Sequence, residues 1–356
     1  MELVILSAVG AALLAGAVAA WSFGRQRQAV TASSWRFVPE ARDADDRGQP
    51  QADPALLAEL RQRFLRAALG GAEPVAGEAE QPAHRRVADA VMVALERADL
   101  SQRYIPRRPN LLPQLIQSVN DSTASARSIG RIIGSDPVLT VNLLRIANSP
   151  LYRFQQQEVR SIERAVTLVG NEGIRQIISA ALVQPVMNPP DRDGGRFSQL
   201  LWDYSLRMSL AAADHARSIE REDGFAAQLA GLLRGLGMTM VVRATADAYS
   251  RVQTLAPSPD VLLELLERCT PLTAARVARQ WELPDSIADA LEGSAPPSAL
   301  GRSLAVGELA AALSMLCREQ ALEEDEALRL LGASLPEHVA LWLWKRVNPD
   351  DPRDEE

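Results

Sequence analysis

The side chains that most often carry catalysis are scarce in this chain. Its three histidines, His84, His215 and His338, lie in three distant segments, and none is followed by an aspartate. A catalytic divalent site needs about three imidazole or carboxylate ligands that converge on one point. Asp214 and His215 are adjacent, but neighbours on a helix point about 100° apart, so one ion cannot readily bind both. We therefore predict that His215 is a surface or half-buried residue with satisfied hydrogen bonds, and not a metal ligand.

Other catalytic templates are also missing. Cys269 and Cys317 are the only cysteines and are far apart, which indicates neither a disulfide framework nor a thiolate zinc site. The chain has no Gly-x-Ser-x-Gly, Gly-x-x-x-x-Gly-Lys or Gly-x-Gly-x-x-Gly motif. The sequence thus predicts no cofactor and no catalytic residue.

Composition narrows the class of partner. The chain has 356 residues, of which 47% are hydrophobic, so it can bury a sizeable core. A net charge of -7 and a pI near 5.3 argue against nucleic acid as the main partner. Arginines at 85, 86, 103, 107 and 108 alternate with acidic residues, which is typical of a solvated helix face. A nucleic-acid role for these arginines stays an alternative that a salt-dependent binding assay would test.

The first residues predict a membrane anchor. Residues 3–23 contain no charge and, as a helix, would span about 31 Å, close to one hydrocarbon core. Arg25 and Arg27 follow at once, which predicts a single-pass anchor over 1–25 in the cytoplasmic membrane, with the N-terminus outside. A cleaved secretory signal is the alternative, and Glu2 at its start disfavours it. Small residues at 12, 16 and 20 would allow two such helices to form a homodimer.

The rest of the chain has a helical period. Residues 26–104 comprise a polar tether, a helix from Asp53-Pro54 to residue 69, a Gly/Ala/Glu/Pro linker and a second amphipathic helix over 84–100. We predict an all-α main domain over 105–320, with a break between two bundles at 188–195, and C-terminal helices with an acidic tail over 321–356. Helices are predicted over 111–120, 124–134, 137–148, 161–168, 171–187, 197–219, 224–235, 238–254, 259–268, 271–281, 284–292, 299–318, 324–331 and 336–347.

The phrase "SDPVLTVNLLRIANSPLY" has a marked beginning and end. Asp136 is a good N-cap acceptor, and Pro137 suits the first helical turn. The run Asn148-Ser149-Pro150 ends the helix, because a residue before proline disfavours the α region, and Tyr152 can fold back onto the last turn. These residues are expected to cap and turn the chain first, and to bind second.

The order of several such phrases resembles the HDOD family, the HD-related output domain of bacterial signalling proteins. The phrases are "LPQLIQSV", "SIGRIIGSDPVLTVNLLRIANSPLY", "VRSIERAVTLVGNEGIRQIISAALV", "LWDYSLRMSLAAADHA" and "AAQLAGLLRGLGMTMVV". The resemblance covers roughly residues 105–320. It implies a helical signalling domain related to the HD-type metal phosphohydrolases, in which histidines and aspartates hold the metals that activate water.

The positions that correspond to those ligands are occupied by other residues here. Tyr204 takes the place of a histidine, Arg234 and Gly235 stand where a His-Asp doublet would be, and Ala310-Ala311 replaces a late Ala-Asp. We call Tyr204, Arg234 and Gly235 the vestigial pocket. A guanidinium repels a metal cation, and an internal salt bridge is the expected role of Arg234.

The resemblance implies a non-enzymatic scaffold that is tethered to the membrane and recognises one or more signalling proteins. A metal-dependent phosphohydrolase and a nucleotide-binding sensor are the alternatives. At the C-terminal end, Leu341, Trp342, Leu343 and Trp344 would cover more than one helix face, so that helix is expected to pack into the bundle. An exposed partner site is the alternative for the two tryptophans.

Overall fold

The computed structural model describes residues 52–70, 80–96, 137–152, 158–187, 195–252 and 254–349, together with 112, 113 and 133. Over these ranges the chain forms helices and connecting turns without any strand, which confirms the all-α prediction. The predicted anchor over 1–25 and Asp136 lie outside the described residues. So do the predicted helices over 111–120 and 124–134, apart from residues 112, 113 and 133.

The helices are numbered here in chain order. They are α1 Pro54–Ala68, α2 Gln81–Glu96, α3 Pro137–Ala147, α4 Ile162–Met187, α5 Gly195–His215 with a π turn Ala216–Glu220, α6 Gly224–Ser250, α7 Pro259–Gln280, α8 Asp285–Glu292, α9 Ala299–Arg318, α10 Glu324–Ser334 and α11 Glu337–Val347.

The centre of the bundle is the packing of α5 between α6 and α9, with α7 on the outer side of α6. The first two helices belong to this bundle and do not form a separate arm. Helix α1 packs on α9, α7 and α5, and α2 packs on α6 and α7. The Asp53 side chain accepts a hydrogen bond from the backbone N–H of Ala55, which caps α1 as the sequence predicts. In α2, buried His84 is tied to α6 through a 2.8 Å hydrogen bond between Nδ1 and the Tyr249 hydroxyl.

Three long helices each cover two predicted ones, so the predicted breaks were wrong. In α6, Gly235 and Gly237 are sites of close helix contact rather than of a turn. A Cβ atom on Gly235 would lie 1.9 Å from Ser205 Oγ, and one on Gly237 would lie 3.0 Å from Ala274 Cβ. Pro271 is inside α7, between buried Thr270 and buried Thr273. The helix in each case continues because tertiary packing outweighs the weak local signal.

The C-terminal helix α11 packs into the bundle, as expected from its sequence. Leu343 and Trp344 are buried, Trp342 is half-buried and Leu341 is exposed. Arg346 joins three parts of the fold. Its guanidinium donates to Asp214 Oδ2 at 2.9 Å, to Gln176 Oε1 at 3.0 Å and to the Leu151 carbonyl at 3.2 Å. Through this one side chain, α11 is attached to α5, to α4 and to the turn after α3.

Two described helices, α6 and α9, are long and apolar enough by composition to cross a membrane. Both are mostly buried within the bundle. Their apolar character is that of core helices, which pack on neighbours over nearly the whole circumference.

Candidate functional site

A buried cluster of charged and aromatic side chains lies where α1, α5, α6 and α9 meet. Glu308 of α9 is at its centre, in the interior of the bundle. Arg61 Nη1 donates to Glu308 Oε1 at 2.8 Å, and the Tyr204 hydroxyl donates to the same oxygen at 3.3 Å. Arg234 of α6 acts on Glu308 and Tyr204 through its charge. We call Arg61, Tyr204, Arg234 and Glu308 the central cluster.

Helix α1 closes this cluster from the outside. The ring of Phe64 stacks on that of Tyr204, with centroids 4.7 Å apart and planes inclined by 23°. Phe64 and Arg61 are three residues apart, so both point from one face of α1 into the bundle. The side chain that neutralises Glu308 and the ring that covers Tyr204 thus come from the same helix turn.

The pKa values of the cluster follow from burial and from these charges. Burial alone would raise the pKa of Glu308, but Arg61 and Arg234 outweigh it and hold this pKa below its usual value. The charge of Glu308 raises the pKa of Arg61 above its usual value. Burial, helped by the Glu308 charge, raises the pKa of Tyr204 well above its usual range. Near neutral pH the cluster therefore holds an ionised carboxylate, two guanidiniums and a neutral phenol.

Arg234 is the least satisfied member of the cluster. It is half-buried, and its Nε atom is buried without a hydrogen-bond partner in the described residues. Burial lowers its pKa and Glu308 opposes that effect. The expected salt bridge of Arg234 is not found among the described residues, because Arg61 has the direct contact with Glu308.

Gly235 belongs to a helix contact and not to a pocket. Its backbone is pressed against Ser205 of α5, where a Cβ atom would come within 2.4 Å of the Ser205 Cβ. Of the three vestigial-pocket residues, Tyr204 and Arg234 thus meet in the central cluster, while Gly235 lets α5 and α6 approach closely enough for them to do so.

The sequence profile of the HDOD domain matches residues 105–296, which is more than half of the chain. The chain belongs to the HDOD family. A comparison with curated protein sequences gives no significant match.

A comparison with solved structures gives matches of low sequence identity. A Shewanella amazonensis SB2B protein, provisionally assigned as a metal-dependent phosphohydrolase, is 17% identical with a TM-score of 0.49; 74% of this chain and 97% of that one are covered. An HDOD domain protein of unknown function from Geobacter sulfurreducens is 18% identical with a TM-score of 0.46, covering 76% and 90%. A second Shewanella amazonensis SB2B protein, provisionally a phosphohydrolase, is 19% identical with a TM-score of 0.47, covering 71% and 99%.

The central cluster of this HDOD domain does not fit a divalent metal. It offers one carboxylate, which is already paired with Arg61, beside a second guanidinium and a phenol whose pKa is raised. Divalent cations are bound by lone-pair donors such as carboxylate and imidazole groups, and the positive charge of two guanidiniums opposes their binding. In the part of the chain that the structure describes, no three His, Cys, Asp or Glu side chains are grouped to hold a metal ion.

His215 and its neighbour Asp214 have partners outside the central cluster. His215 is fully buried, so the prediction of a surface or half-buried residue was wrong; its Nδ1 lies 3.1 Å from Ser303 Oγ. Burial lowers the pKa of His215 to about 4. Its neighbour Asp214 is directed elsewhere and pairs with Arg346 at 2.9 Å and Arg217 at 3.7 Å. Neither residue lies in the central cluster.

The family motif residues that the structure describes cap and turn the chain. Asn148 Oδ1 accepts from the Val159 N–H, and its Nδ2 donates to the Leu144 and Val159 carbonyls, all at 2.8 Å. Ser149 Oγ donates to the Ile146 carbonyl at 2.7 Å. Pro137 begins α3, Pro150 is exposed in the turn, and Tyr152 is buried beneath the Arg346 guanidinium, 5.8 Å from ring centre to Cζ.

A surface cleft of about 480 Å³ lies beside this motif. Asn148 reaches it, but its amide is already used in bonds to the backbone, and Arg160 is paired with Glu158 at 3.0 Å. The other lining residues are Leu144, Arg145 and Val159. The side chains of Asn148, Glu158 and Arg160 in this cleft are thus engaged within the protein.

Sequence reasoning missed Arg61, Phe64 and Glu308. Glu308 had a readable signal, since it is the only charge in the apolar run "SLAVGELAAALSML" over 303–316. A lone acid at the centre of a core helix requires a buried partner. That the partner is Arg61, 247 residues away, has no signal in the spacing.

Proposed function

We propose that this protein is a non-enzymatic signalling scaffold, in which an HDOD domain recognises a protein partner. One observation carries the proposal: the acid at the centre of the site, Glu308, is neutralised by Arg61 at 2.8 Å, with a second guanidinium nearby. Its partners stabilise the ionised form, which makes Glu308 a weak general base, and the two guanidiniums repel a metal cation. The domain would therefore bind a partner through hydrogen-bonding groups and apolar surface.

We further propose that residues 1–25 anchor the domain at the inner face of the cytoplasmic membrane. The uncharged run over 3–23 and the arginines that follow it support this proposal. Anchoring confines the HDOD domain to a thin layer beside the membrane, which raises its effective concentration toward membrane-bound signalling proteins. The acidic net charge supports a protein partner over a nucleic acid.

Crosslinking in native membranes tests both parts of this function. A photoreactive amino acid replaces Leu341 or Val141, which are exposed by 42% and 57%, in full-length protein and in a form without residues 1–25. We expect one defined signalling protein to be crosslinked by the full-length chain, and less of it by the truncated form. The same two surface variants kept in the dark are the matched control and should give no adduct. Absence of any protein adduct from both surface positions would contradict the scaffold function.

A nucleotide-binding sensor is the second candidate, and Arg234 favours it. A half-buried guanidinium with an unpaired Nε in the described residues is suited to a phosphate group. If the domain is a sensor, equilibrium dialysis should give saturable binding of a cyclic nucleotide that Arg234→Met weakens at least tenfold. Arg196→Met, an exposed arginine at the start of α5, is the control and should leave binding unchanged.

A further inference from the structure

The socket that holds helix α1 combines an apolar groove with a buried carboxylate. Five apolar side chains of α1 enter it at helical spacing: Leu57, Leu60, Phe64, Leu65 and Ala68. At its floor are Tyr204, which stacks on Phe64, and Glu308, which binds Arg61. The socket therefore recognises an amphipathic helix by its shape. It also recognises an arginine placed three residues before an aromatic ring.

The rim of the socket is weakly held. Arg66 pairs with Asp260 at 2.9 Å, Gln62 Nε2 donates to Glu267 Oε2 at 2.9 Å, and Arg63 donates to the Ala321 carbonyl. These contacts are exposed, and exposed ion pairs contribute only about 0–1 kcal/mol each and are screened by salt. What fixes α1 is thus its buried face, on which Arg61 and Phe64 make the specific contacts and Leu57, Leu60 and Leu65 add apolar burial.

Helix α1 is also set apart along the chain. It lies outside the segment 105–296 that matches the HDOD profile, as does Glu308 on the C-terminal side. The sequence before it, residues 26–53, is polar, and the nine residues 71–79, "GAEPVAGEA", separate it from α2. Nine residues can span at most about 30 Å, so α1 can leave its socket without any change in α2.

We propose that α1 is an exchangeable internal ligand of the HDOD domain, and that its socket is the docking site for an amphipathic helix with the same Arg-x-x-Phe chemistry. In the resting protein the occupant is α1 itself, which couples the site to the tether that precedes it. This inference rests on the proposed scaffold function and names the class of partner that the central cluster binds.

A labelled peptide with the sequence of residues 52–70 tests the exchange on the full-length chain. In a host with Arg61→Ala and Phe64→Ala, the internal helix loses its ion pair with Glu308 and its ring contact with Tyr204. Fluorescence anisotropy should then show peptide binding at least tenfold tighter than to the wild-type host. A peptide with Arg61→Glu should bind that host at least tenfold more weakly, because it would face Glu308. A host with Arg85→Ala and Val93→Ala, two exposed positions on α2, is the matched control and should behave as wild type.

A second measurement avoids any variant that could misfold. A protease site is inserted in 71–79 of the otherwise wild-type chain, which is then cleaved in detergent and followed by size-exclusion chromatography. We expect the N-terminal fragment to stay bound and to be released by excess peptide 52–70 but not by its Arg61→Glu form. A fragment that the peptide cannot displace, together with no binding to the double-alanine host, would overturn the proposal. That result would make α1 a permanent part of the core and would leave the crosslinking test of the scaffold function unaffected.

Discussion

Glu308 lies at the centre of the candidate functional site. It is a buried acid whose charge is compensated by Arg61 and Arg234, and a hydrogen bond from Tyr204 completes its surroundings. A buried pair is not by itself evidence of stability, because removing two charges from water costs about as much as their attraction returns. Removing only one member of such a pair is destabilising, because it leaves the remaining charge buried and uncompensated.

Glu308→Leu should therefore lower the free energy of unfolding by about 3–5 kcal/mol. Glu264→Leu, which removes an exposed acid paired with Arg268 at 2.9 Å, is the control and should change it by less than about 0.5 kcal/mol. The double variant Arg61→Met with Glu308→Leu should recover much of the loss. Urea unfolding of the variants measures all three values, and equal effects of Glu308→Leu and Glu264→Leu would count against a buried ion pair.

Gly235 tests whether close helix contact, and not a pocket, defines that position. Gly235→Ala should cost about 1–3 kcal/mol, because the new methyl group would overlap Ser205. A second change, Ser205→Gly, should relieve most of the cost. Gly332→Ala in α10, where nothing lies within 4 Å, should instead stabilise the protein by about 0.5–1 kcal/mol. Thermal melts of the variants would refute the contact if both alanines had the same effect.

The buried side chain of His215 makes the free energy of unfolding depend on pH. Its folded pKa is about 4, below the ordinary value of 6.5, so only the unfolded chain takes up a proton between these values. The stability contributed by His215 is thus complete above about pH 7 and falls by about 1.4 kcal/mol per pH unit below 6.5. In His215→Gln this part of the slope of unfolding free energy against pH should disappear. His338→Gln, at an exposed position, should retain the full slope, and loss of the slope in both would disprove this assignment.

At the scale of the helices, the local sequence predicted the all-α class and several helix ends well. It predicted the lengths of the long helices poorly. The 3.6 period gave the helices at 54–69, 299–318 and 336–347 to within a few residues, because each has a cap or a proline at its start. The breaks predicted inside α6 and α7 were wrong because Gly235, Gly237 and Pro271 are read locally as breakers. The two glycines contact residues 30 or more positions away, Ser205 and Ala274, which a single sequence does not show.

The same limit applies to the candidate site. Tyr204 and Arg234 were found by resemblance, and the structure brings them together. Arg61 had a partial signal, because its spacing from Leu57 and Phe64 places it on the apolar face of α1, whereas Arg66 lies on the opposite face. Only the packing of α1 on α9 shows that the partner of Arg61 is Glu308.

Arg346 is the element-scale test of how the α3–α4 segment is held. Arg346→Met should remove the bonds to Asp214, Gln176 and Leu151 while keeping most of the aliphatic packing. Amide hydrogen exchange should then become faster over 146–152 and in the turn of α4 around residue 176. Lys345→Met, the neighbouring exposed position, is the control and should leave exchange as in the wild type. Unchanged exchange in both variants would show that Arg346 does not hold this segment.

At the scale of the whole molecule, the chain is one helical bundle in which segments on both sides of the family domain complete the core. Helix α1 provides Arg61 and Phe64 from the N-terminal side, and α11 provides Arg346 from the C-terminal side. The site that the family resemblance assigns to metal-dependent hydrolysis is thus filled by an internal ion pair and a stacked ring. The proposed recognition function rests on this arrangement.

The metal content of the purified full-length protein tests this central claim most directly. The protein is expressed in medium supplemented with manganese, iron and zinc, and bound metal is measured by inductively coupled plasma mass spectrometry. We expect well under one equivalent of any divalent metal per chain, with the same value for Glu308→Gln. One or more equivalents that remain after gel filtration and are lost in Glu308→Gln would contradict the account and make the central cluster a metal site.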